Sequence, residues 1–167
     1  MAQTQDGWQL EASAPELYER YLVPAIAQLW AADLVERAAP KPGERVLDVA
    51  CGTGIVARFA AATMGTGHVV GVDINEGMLA VARSRPAGPG LPIEWREASA
   101  LDLPFADSSF DLILCVNAGE KMHQRAGVKL HHGWMPNAPT GGLLLRDKQD
   151  EKCVASPANV PETSSVA

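Results

Sequence analysis

A strand-like run that turns on two closely spaced glycines into a helix, "RVLDVACGTGIVARFAAATMG" over residues 45–65, restricts this chain more than any other stretch. "RVLDVA" has the short, apolar, β-branched character of a strand buried on both faces. "IVARFAAATM" carries helical apolar spacing and is closed by Gly65. Glycine lets the backbone turn sharply and approach a ligand closely, and a helix that starts there aims its free N–H groups at whatever sits above the turn. An α/β fold follows.

The alternation continues downstream. "GHVVGVD" (67–73) predicts a second strand, "NEGMLAVARSR" (75–85) a helix, "LPIEWRE" (91–97) a third strand and "FDLILCV" (110–116) a fourth, after the loop "LDLPFADSS". Strands of this kind, each separated by a helix or crossover, make a Rossmann-like, doubly wound parallel sheet. Upstream, "SAPELYERYLVPAIAQLWAADLVERAAP" (13–40) has helical spacing, with Leu17, Tyr21, Leu22, Ile26, Leu29, Trp30, Leu34 and Val35 on one broad apolar face. Ser13 and Glu16 suit a capping box, and Pro24 predicts a break or kink between two helices. After Val116 no sustained period appears, and the last fifteen or so residues read as a disordered tail. The expected organisation is an N-terminal helical segment (1–42), a nucleotide-binding core (43–116) and an atypical C-terminal segment (117–167).

Gly52, Gly54 and Ala57 satisfy G-x-G-x-x-G/A, and Asp73 ends the next strand about 20 residues on, where a carboxylate can accept from ribose hydroxyls. The plain alternatives are a tight turn without ligand, and an Asp73 that only caps the next helix together with Asn75. Asp48 separates two kinds of nucleotide. A carboxylate at the end of the first strand would repel a diphosphate but suit an ammonium group, which favours S-adenosylmethionine over an NAD-type dinucleotide. The net charge of −6 gives no general attraction to nucleic acid or anionic lipid, so a small-molecule or protein partner is expected. No apolar stretch reaches the ~18 residues of a membrane span and the first residues carry no export signal, while three cysteines without CxxC spacing fit a reducing cytoplasm. His123, His131 and His132 match no ligand spacing, and no metal is expected.

Taken together, "VLDVACGTG", "VVGVDINEGMLAVAR" and "ASALDLPFADSSFDLILC" resemble the class I S-adenosylmethionine-dependent methyltransferases, in particular the small-molecule group that includes the ubiquinone and menaquinone C-methyltransferases. The resemblance covers about residues 13–115. It implies cofactor binding by Asp48, Ala50, Gly52 and Gly54 at the methionine end and by Asp73 at the ribose. Ile74 and Met78 would lie against the adenine. Ser99 and Ala100 stand where the family has an aspartate and a small residue. Tyr18 or Tyr21 would cover the cofactor, and Cys51 is a small buried filler.

The likeness stops near Cys115. "PTGGLLL" (139–145) falls near the place of the family's fifth strand, but the amphipathic helix that should precede it is missing from the pattern, and nothing supplies strands six and seven. A truncated, spliced or frame-shifted C-terminal half is the expectation. With the family's sheet order 3-2-1-4-5-7-6, that would leave the fourth strand as an open apolar edge able to self-associate. The readings carried forward are a small-molecule methyltransferase, a catalytically inactive domain that only binds cofactor or a protein partner, and an NAD(P)-dependent oxidoreductase, which Asp48 disfavours.

Overall fold

In a computed structural model of the protein, the described residues are 13–86, 88, 90–106 and 108–116, with the backbone of Gly133–Trp134 and Leu143–Arg146. Helical structure runs unbroken through α1 (Ser13–Leu17), a π-helix (Tyr18–Ala27) and α2 (Gln28–Ala38). The expected break at Pro24 is therefore replaced by a change of helix type. Proline lacks an N–H and crowds the carbonyl four residues back, and the wider π turn keeps the helix continuous around it. The wider turn also divides the apolar face. Val23, Ala27, Ala31, Leu34, Val35 and Ala38 are buried, whereas Leu17, Tyr21, Leu22, Ile26 and Leu29 are exposed.

The strands are β1 (Arg45–Val49), β2 (His68–Asp73), β3 (Ile93–Glu97) and β4 (Leu112–Cys115), with α3 (Ile55–Met64) and α4 (Glu76–Ser84) between the first three. All four pair in parallel, in the order β3-β2-β1-β4. Strand alternation divides the side chains between two layers. Val46, Val69, Leu112 and Leu114 pack with α2 and α3 around Val56, Ala57, Ala60 and Ala61. Leu47, Val49, Val70, Val72, Ile113 and Cys115 face the other way, onto Ala98, Ala100, Leu103, Phe105 and Phe110 of the crossover between β3 and β4. Each fully buried Val or Leu of these layers contributes roughly 1.5–3 kcal/mol. The chain moves outward from β1 through β2 to β3 and then returns to the opposite side of β1, so the winding reverses between β1 and β4. Open α/β sheets bind ligands outside the carboxyl ends of their strands at such a point.

Beyond β4 the sheet continues with β6 (Leu143–Arg146) and β5 (Gly133–Trp134), and both added pairings are antiparallel. This corrects one expectation: β4 is not an open edge, because β6 runs along it from Leu112↔Arg146 to Cys115↔Leu143. The strand expected within 139–145 exists, but it is antiparallel to β4. The histidines His123, His131 and His132, Cys153 and the expected disordered tail lie outside the described residues. Among the described residues no helix is long and apolar enough to cross a membrane.

Candidate functional site

Between β1 and α3 the backbone makes three left-handed residues, Ala50 (φ 55°), Gly52 (φ 57°) and Gly54 (φ 86°). Cys51 N–H bonds Val72 O at 2.9 Å and Gly54 N–H bonds Cys51 O at 2.9 Å, which folds the loop over the carboxyl end of β2. Gly52 N–H donates to Asp73 Oδ2 at 2.7 Å, and Asn75 N–H donates to Asp73 Oδ1 at 2.9 Å. The Asp73 carboxylate is thus fixed by backbone on both oxygens, each of which retains lone-pair capacity. Asn75 takes the capping task itself, accepting from Met78 N–H at 3.2 Å to start α4.

The two glycines serve different ends. Among the described residues a Cβ on Gly52 would meet nothing within 4 Å, so they leave that side of the loop open. A Cβ on Gly54 would fall inside the indole of Trp95, which also lies over Gly71. Gly54 and Gly71 therefore make room for a half-buried tryptophan that packs on the core.

Asp48 points into the α3 layer. It is 1% exposed, and its Oδ2 accepts the N–H of Ala57 at 3.0 Å. Gly54, at the N-cap of α3, has no side chain to satisfy the first-turn donors, and Asp48 reaches across from β1 to do so. Burial pushes its carboxyl up to about 8; the Ala57 N–H opposes the rise, Asp73 adds to it and Arg58 opposes it. Asp48 is therefore largely protonated at neutral pH. The charge argument against a diphosphate loses its force with it.

Tyr18 is half-buried, and its phenol is raised by burial and then by the negative charge of Glu19, Asp73 and Asp48. It stands on the side of the acids, whereas Tyr21 is 58% exposed with the Arg20 guanidinium 5.4 Å from its ring centroid. Ile74 and Met78 are half-buried at the carboxyl end of β2 and the start of α4. Ser99 Oγ accepts from Leu101 N–H at 3.2 Å, and Ala100 packs on the second apolar layer. Burial, then Asp48 and Asp73, raise the Cys51 thiol, as suits a filler.

Sequence reasoning missed Glu19 and Arg58. Arg58 Nη1 donates to Thr53 O inside the loop at 2.7 Å, and Nη2 reaches Glu19 Oε1 at 3.4 Å. A signal was available: a cation near the start of a helix opposes the macrodipole, so Arg58 in "GIVARF" implies a specific partner.

With this geometry in place, comparison with known proteins places the chain. A family model described as a methyltransferase domain matches residues 46–133, more than half of the sequence. The chain belongs to this methyltransferase family. The methyltransferase domain is 44% identical over 87 residues to a 2-phytyl-1,4-naphtoquinone methyltransferase of Synechococcus elongatus, covering 50% of this chain and 37% of that one. It is 46% identical over 86 residues to a demethylmenaquinone methyltransferase of Clavibacter sepedonicus, covering 52% and 34% respectively. These matches span little more than a third of the length of either relative. A solved TehB-like SAM-dependent methyltransferase of Corynebacterium glutamicum superposes with a TM-score of 0.52 at 20% identity, over 70% of this chain and 64% of that one, and shows the shared class I fold.

Proposed function

We propose that this methyltransferase domain binds S-adenosylmethionine at the carboxyl ends of β1 and β2 and serves methyl transfer to a small, quinone-like acceptor. The observation that carries the reading is the Asp73 carboxylate, held by the Gly52 and Asn75 N–H groups beside a loop whose Gly52 side is open. That arrangement fits the cofactor: a fixed acceptor suits ribose hydroxyls, and bare backbone suits the methionyl end. Ile74 and Met78 would flank the adenine, Ser99 and Ala100 would border its amine, and Ala50 would leave the loop backbone accessible. The family match and the names of the two relatives support the class of donor and acceptor.

S-adenosylmethionine supplies an activated methyl group on a sulfonium, so the protein has mainly to position an acceptor and accept any proton it loses. Tyr18, with its raised phenol, stays protonated at neutral pH and acts as a hydrogen-bond donor rather than a base. Asp48 can form an ion pair with the methionyl ammonium only by giving up its own proton. Calorimetric titration with S-adenosylmethionine tests the reading. The absence of both heat and a thermal shift at millimolar ligand would overturn it.

A second reading, cofactor binding without turnover, is favoured by one observation: the strand beside β4 runs antiparallel, where the family's fifth strand would be parallel. It predicts binding but no transfer of labelled methyl to demethylmenaquinone-like or phenolic acceptors. Oligomer formation that depends on concentration would accompany it.

A further inference from the structure

Glu19 is the most unusual side chain outside the loop. It belongs to the π-helix, its side chain is 8% exposed, and its Oε1 faces two guanidinium groups, Arg58 at 3.4 Å and Arg85 at 3.3 Å. Its Oε2 is buried with no hydrogen-bond partner among the described residues. Inside the adjoining loop, Thr53 is 1% exposed and its Oγ1 is likewise buried without a partner among the described residues. A buried ion pair is a poor device for stability, since apolar residues of similar volume do as well or better. The pair has to be explained by what it connects. Arg58 donates to the Thr53 carbonyl at 2.7 Å, so one guanidinium joins the N-terminal helix to the glycine loop. Tyr18, the neighbour of Glu19, stands in the field of Asp48 and Asp73. The contacts to Glu19 are long and one of its oxygens is unsatisfied, which leaves the network room to tighten.

We infer that Glu19 is a positioning residue: through Arg58 it seats the N-terminal helix on the glycine loop, so that helix docking and cofactor binding favour each other. The inference rests on the S-adenosylmethionine reading of the loop. Coupling of this kind is reciprocal, which supplies two independent readouts. Glu19→Gln keeps the shape and removes the charge. Titrated with S-adenosylhomocysteine, it should bind about tenfold more weakly than the wild type, within the usual range of such couplings. Trypsin cleavage after the exposed Arg20 should be slowed by the ligand in the wild type and much less so in the variant. Arg58→Lys keeps the charge but loses the fork that spans Glu19 and Thr53, and should weaken binding in the same direction. The double variant should lose less than the two single losses combined.

Equal affinity and equal ligand protection in Glu19→Gln would overturn the inference, whatever happens to its melting temperature. If that variant does not fold by circular dichroism, Arg58→Lys decides by the same two measurements. A wild type that gives neither heat nor protection removes the functional reading and the inference with it. A wild type that binds while both variants match it removes only the inference.

Discussion

Replacing Asp48 with asparagine should flatten the dependence of stability on pH. The carboxyl is pushed from 3.8 to about 8, chiefly by burial in the α3 layer. Between those two values the folded protein holds a proton at Asp48 that the unfolded chain has released, so the unfolded state binds fewer protons and stability falls as pH rises. The contribution is fully present below the unfolded value, is lost across the interval and is level above about pH 8. A shift of about four units at ~1.4 kcal/mol per unit is on the order of 5 kcal/mol, a large share of the 5–15 kcal/mol typical of a domain. Asparagine keeps an acceptor for the Ala57 N–H and does not titrate. In urea unfolding, the stability difference between wild type and Asp48→Asn should grow in favour of the wild type by roughly 4 kcal/mol from about pH 8 to about pH 5. Parallel profiles for the two proteins would refute the assignment.

The same group offers a test of what Asp48 does for the cofactor. If the methionyl ammonium pairs with an ionised Asp48, binding at about pH 7 must release the roughly 0.9 proton that the free carboxyl carries. Titrations in buffers of different ionisation enthalpy measure that release directly. Binding with no proton release in the wild type would leave Asp48 as the cap of α3 and nothing more.

Four further substitutions separate fold from site. Gly52→Ala incurs only the left-handed backbone penalty of ~1–2 kcal/mol in urea unfolding, yet should weaken cofactor binding at least tenfold by occupying the open side of the loop. Gly54→Ala adds a collision with Trp95 to a φ of 86° and should lower stability by about 3 kcal/mol or more by the same assay. Asn75→Ala, which removes the cap of α4, should lower stability by ~1 kcal/mol and leave cofactor affinity little changed, because the backbone N–H that holds Asp73 is retained. Ser99→Asp can keep the turn bond to Leu101 N–H and should tighten cofactor binding about threefold to tenfold by calorimetry, because a charged acceptor for the adenine amine is stronger than a hydroxyl.

The parallel half of the fold was legible because β1, β2 and β4 are short runs of β-branched and apolar residues, each bounded by glycine, proline or a polar turn. The glycine loop and Asp73 were legible for the same local reason. What pattern alone missed depends on contacts between distant segments. Alternation places Asp48 opposite Leu47, but only the packing of α3 decides that its carboxylate is enclosed and caps a helix. An assumed spacing of 3.6 residues put Tyr21 on the inner face, and the π turn around Pro24 brings Tyr18 to the acids and leaves Tyr21 outside. "GGLLL" could be read as a strand, but its direction beside β4 is a property of the pairing, not of the residues.

Gly54, Gly71 and Trp95 are far apart in the sequence and meet at one indole ring. In the history of such a chain these positions would not vary independently. A smaller residue at 95 would have to arrive before alanine could be accepted at 71, and even then alanine at 54 would still carry the cost of a left-handed backbone. The order of permissible changes is thus written into the packing, with the tryptophan as the step that must come first.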